Sequence, residues 1–141
     1  KDIDKLTKLK SLGLCSQLDG ADIARMKLLN TLTGLKLKKI QNLPALLQCL
    51  KSHPQLTELT LVKVPLNKQS LELLKKCRYI KKLTIMECEI SPDDAISFSK
   101  IKTLSSLRIT SKWNEAEKNR VKSALKTLKL ELSTYRTGQY Y

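Results

Sequence analysis

The sequence predicts an α/β fold, a right-handed solenoid of about six strand-helix repeats of 23–24 residues with a parallel sheet lining its concave side. The first observation is a motif of leucine, two residues, leucine, one residue, leucine. It stands as Leu9-Leu12-Leu14, Leu32-Leu35-Leu37, Leu56-Leu59-Leu61, Ile80-Leu83-Ile85 and Leu104-Leu107-Ile109, with a fainter sixth copy at Leu125-Leu128-Leu130. The second is its regularity: the middle leucines Leu12, Leu35, Leu59, Leu83 and Leu107 are separated by 23, 24, 24 and 24 residues. The third is that the stretches between motifs carry apolar residues at steps of three and four, the period of a helix.

Each motif is a strand, because side chains two apart point to one face and the second and third apolar residues therefore share the core side. The first, second and third motifs are followed in turn by returning segments. Of these, Ala45-Leu46-Leu47-Leu50 and Leu71-Leu73-Leu74-Cys77 read as helices, with Asn42 and Asn67 as weak caps. After the fourth motif, Ser91-Pro92-Asp93-Asp94 offers an N-cap, a first-turn proline and two acids, ahead of Ala95-Ile96-Phe98-Ile101. After the fifth, Asn114 with Glu117 makes a capping-box-like pair ahead of Val121-Ala124-Leu125-Leu128. Lys75-Lys76-Arg78 and Lys100-Lys102 close their helices with cations that suit the negative end of the macrodipole.

The run Leu71 to Ile90, LELLKKCRYIKKLTIMECEI, resembles one whole repeat of the ribonuclease-inhibitor-like class of leucine-rich repeats, with Cys88 at the Asn/Cys position. The stretch from Asn114 to Leu132 resembles the last helix and strand of intracellular arrays of this class, as in NOD-like receptors and F-box adaptors. The resemblance implies a protein-recognition domain of an intracellular, cytoplasmic receptor, adaptor or scaffold. One departure stands out: the five clear copies carry Gln17, Ile40, Val64, Cys88 and Lys112 where the class has Asn or Cys. Irregular turns are expected there. Repeats of 24 residues also predict helices of about two turns.

A chain of 141 residues is long enough for one leucine-rich repeat domain over 1–141. The first repeat opens almost at once, so the chain is expected to be a segment of a larger protein continuing N-terminal to Lys1, with Lys1 to Leu6 as a minimal cap otherwise. Residues 133–141, with three of the six aromatics, are expected to form a C-terminal tail or cap. No apolar run approaches the roughly 18 residues that span a membrane, and no signal peptide is visible.

Chemistry is sparse. Cys49, Cys77 and Cys88 fall at core or edge positions and predict reduced thiols in a reducing compartment, whereas Cys15 falls on the concave side. No two cysteines lie within four residues and the one histidine, His53, reads as a solvated loop residue, so neither a metal site nor a cofactor is expected. With no base beside a nucleophile and no glycine-rich phosphate loop, an enzyme is not expected.

The net charge of +14 points to an anionic partner or an acidic protein surface. Counted by thirds, residues 1–51 carry ten cations and four anions, 52–103 nine and six, and 104–141 eight and three, an even spread. On the concave sheet the repeat places the rows Gly13, Lys36, Thr60, Thr84, Arg108, Lys129 and Cys15, Lys38, Val62, Met86, Thr110, Glu131. The expected partner site is Lys36, Lys38, Thr60, Val62, Lys82, Thr84, Met86 and Arg108, with Val62 and Met86 as its apolar centre. The bland alternative is a sheet merely covered with solvated threonines and lysines. The functional alternative is a basic module for nucleic acid or an anionic membrane surface. Nucleic acid is not favoured, since no concave position is aromatic and Trp113, Phe98 and Tyr79 fall in turns or helices.

Overall fold

Apolar residues two apart produce one strand per period. In the computed structural model, which describes residues 8–15 and 18–134, the strands are β1 (Ser11–Cys15), β2 (Gly34–Lys38), β3 (Glu58–Val62), β4 (Lys82–Met86), β5 (Ser106–Ser111) and β6 (Lys129–Thr134). They form one all-parallel sheet in chain order, alternating with α1 (Gly20–Ala24), α2 (Leu43–Leu50), α3 (Lys68–Lys75), α4 (Pro92–Ser97) and α5 (Glu115–Ala124). Short 3-10 turns at Lys27–Asn30 and Phe98–Lys100 complete the first and fourth connections.

The pairing aligns Leu12, Leu35, Leu59, Leu83, Leu107 and Leu130 in one row and Leu14, Leu37, Leu61, Ile85, Ile109 and Leu132 in the next. Both rows join a single core with Ile23, Leu46, Leu71, Phe98 and Val121 from the connecting segments. The sixth repeat is corrected by two residues. Leu125 follows the end of α5 and Leu128 lies in the turn, so Leu130 and Leu132 are the core pair and Glu131, not Lys129, stands beside Arg108.

The turns after β2, β3 and β4 are regular, contrary to expectation. Lys39, Lys63 and Glu87 adopt φ of 54°, 51° and 51°, the same left-handed conformation one repeat apart. Each donates its N–H to the next strand, at Val62 O (3.0 Å), Met86 O (3.0 Å) and Thr110 O (3.3 Å). Backbone bonds between repeats therefore satisfy these turn donors, and Cys88 adds a weak Sγ donation toward Leu61 O at 3.7 Å.

Caps begin most of the helices. Asn67 accepts from Ser70 N at 2.8 Å, and Ser91 and Asn114 each make a full capping box, with Asp94 and Glu117. Asn42 does not cap α2 with its side chain. It adopts φ 54°, and its Nδ2 donates to Asp19 Oδ1 (3.1 Å), the carboxylate that caps α1. The five-residue α1 is too short to show a helical period in the sequence. Its start packs so tightly that a Cβ on Gly20 would lie 2.1 Å from Asn42 O, and the Gly20 N–H donates to Gln41 O at 2.7 Å. The suggested cap at Lys1–Leu6 lies outside the described residues, as does the tail beyond Thr134. Ser133 and Thr134, assigned to that tail, belong to β6.

Candidate partner-binding face

Alternation leaves the second face of the sheet to the residues between the core leucines. All eight predicted site residues lie there on β2 to β5, and the register brings them together: Lys36, Thr60, Thr84 and Arg108 are neighbours across the strands, as are Lys38, Val62 and Met86. Lys36, Lys82 and Arg108 are exposed, and Lys38, Thr60, Thr84 and Met86 are half-buried. Val62 departs from the prediction. It is 0% exposed without belonging to the core cluster, so its methyls are covered on this face and Met86 carries the accessible apolar surface.

Two of the basic residues are matched across strands. Arg108 Nε donates to Glu131 Oε2 at 2.6 Å, and Lys82 Nζ lies 3.5 Å from Glu58 Oε1, both pairs directly opposite in the register. By formal charge the face carries Lys36, Lys38, Lys82, Arg108 and Lys129 against Glu58 and Glu131, an excess of positive charge. An open hollow of about 610 Å³ borders it, lined by Met86, Arg108, Thr110 and the strand β6.

The thiols divide by burial. Cys15 is exposed, Cys49 half-buried, and Cys77 and Cys88 buried, all four free. Burial pushes the Cys77 thiol up to about 11 and raises Cys49 and Cys88 as well. His53 is half-buried rather than solvated, with Nε2 3.4 Å from Cys49 Sγ, while Cys49 also donates to Ala24 O at 3.4 Å. Among the described residues no group of three or more His, Cys, Asp or Glu is placed to hold a metal ion. No described helix is long and apolar enough to cross a membrane.

A second surface escaped the sequence reading. A groove of about 910 Å³ opens where helix ends give way to strands, and Lys51, Lys75, Lys76, Arg78, Lys100 and Lys102 line it with no acidic residue among them. Lys51 and Lys75 each stand eight residues before a core leucine (Leu59, Leu83), Lys76 and Lys100 seven before Leu83 and Leu107, and Arg78 and Lys102 five before. The period that stacks leucines thus stacks cations. That spacing was the available signal, hidden when charge is counted along the chain.

No protein-family profile matches the chain, and no curated protein matches it.

Proposed function

We propose that the chain is a protein-recognition module of the leucine-rich repeat type, a right-handed solenoid whose concave side is the open sheet face. The resemblance further suggests the setting of NOD-like receptors and F-box adaptors: an intracellular receptor, adaptor or scaffold. The observation that carries the reading is the register-aligned face of Lys36, Lys38, Thr60, Thr84, Met86 and Arg108, a partly accessible methionine on a face with an excess of cations. Such a face suits a protein surface with an apolar centre and acidic rim, where Met86 and Arg108 supply the desolvated anchors.

Affinity capture at salt above about 200 mM, with nuclease present, tests it. A retained protein should be lost about ten-fold or more when Met86→Glu and Arg108→Glu are combined, circular dichroism confirming the fold. Retention of that partner by the double variant would refute the assignment. Val62 is unsuitable for the test, since a charge there would be buried.

A further inference from the structure

Six cations around one groove repel one another, and among the described residues most of them make no ion pair. Among the described residues only Lys75 is in an ion pair, with Glu72; Lys51, Lys76, Arg78, Lys100 and Lys102 are in none, and all five are exposed. Part of this charge complements the C-terminal ends of α2, α3 and the turn Phe98–Lys100, as a helix end requires. Spread over three ends the six cations come to two apiece, and no acidic residue joins them in the groove lining. The positive charge is felt beyond the groove's walls: the bond from Lys75, with the attraction of Lys75, Lys100 and Lys76, lowers the pKa of the exposed Glu72 carboxyl.

The arrangement selects among anions. Cations at matching positions recur from one repeat to the next, at helix ends and in the turns ahead of the strands. Lys51 with Lys75, Lys76 with Lys100 and Arg78 with Lys102 therefore form rows rather than a single cup. A row suits a polymer with a charge on every unit better than one isolated phosphate. Beside Arg78 the groove is also lined by Tyr79, 41% exposed and the one large hydrophobic residue that is exposed among those described. A partly exposed ring beside a guanidinium offers a platform for a flat aromatic partner. A duplex hides its bases and an anionic membrane has none, whereas a single strand offers both phosphates and bases.

We propose that this groove binds single-stranded nucleic acid, with successive phosphates along the lysine rows and a base stacked on Tyr79. The site is separate from the sheet face, and this assignment does not depend on the reading of that face.

Fluorescence anisotropy of a labelled oligothymidylate with the whole chain tests the proposal. Binding should weaken steeply between about 50 and 200 mM salt, with a slope of about −0.7 for each phosphate held. The triple variant Lys76→Glu, Arg78→Glu, Lys102→Glu should abolish it. Tyr79→Ala should weaken it about ten-fold with the salt slope unchanged, and Tyr79→Phe should retain it. If the triple variant misfolds by circular dichroism, the exposed single changes Arg78→Gln and Lys102→Gln carry the same test, each expected to weaken binding about three-fold and shrink the slope. Met86→Glu with Arg108→Glu should leave oligonucleotide binding intact. No binding at low salt, indifference to these groove changes, or tighter binding of a phosphoserine peptide or of phosphatidylserine vesicles would each overturn the assignment.

Discussion

At the scale of single residues, burial decides which thiol can react and which cannot. Cys77, packed at the end of α3, has its pKa raised to about 11 because the thiolate would lose its hydration, while the unfolded chain titrates near 9.0. The folded state therefore holds its proton where the unfolded state has released one. The contribution of Cys77 to stability is complete below pH about 9 and falls as pH rises toward 11. Thermal melts across that window should show a drop that Cys77→Val reduces; the same drop in both proteins would remove Cys77 as its source. The core position of this thiol was legible from its place in the repeat. Val62 was not, because its outward parity on β3 marks it as exposed and only its neighbours' packing covers it. The burial of His53 is not legible for the same kind of reason, since it depends on Cys49 one helical turn away, across the end of α2.

Among the elements, the turns that follow the strands hold the clearest energetic imbalance. Lys39, Lys63 and Glu87 occupy a left-handed conformation that costs a side-chain-bearing residue about 1–2 kcal/mol. They remain there because each N–H bonds the next strand and each following residue, Ile40, Val64 and Cys88, is buried. Lys63 also pairs with Glu87 at 3.3 Å, so Lys39 is the cleaner site to test. Lys39→Gly should stabilise the protein by about 0.5–1 kcal/mol, less than the relief because glycine gains freedom in the unfolded chain, as denaturant melts would show. A loss of stability would mean that the Lys39 side chain contributes more than its backbone costs. The sixth repeat shows why strand register is harder to read than strand identity. Leu128, Leu130 and Leu132 share one parity, so a slip of two keeps every leucine on the core face and only the pairing with β5 decides.

Over the whole molecule, each strand pairs only with its neighbours in the chain, so stability rests on successive interfaces between repeats. Leu59 and Leu83, each 1% exposed, sit in the middle of that series. Leu59→Ala or Leu83→Ala should cost about 2–5 kcal/mol in equilibrium unfolding, and an unchanged melting curve would contradict their place in the core. The sequence by itself determined the strand-helix alternation, the parallel in-order sheet, the core rows and the caps at Ser91 and Asn114. The alternation and the caps follow from local periods of two and about 3.6 and from side chains bonding backbone three residues away, and the sheet and core rows follow from the 23–24-residue spacing of the motif. Only the tertiary structure decided the register of β6, the covering of Val62, the left-handed turns and the basic groove. Each of these depends on groups a full repeat apart in sequence and adjacent in space. A charge tally along the chain is blind to them, because stacking repeats turns a spacing of 24 residues into a neighbour across the sheet.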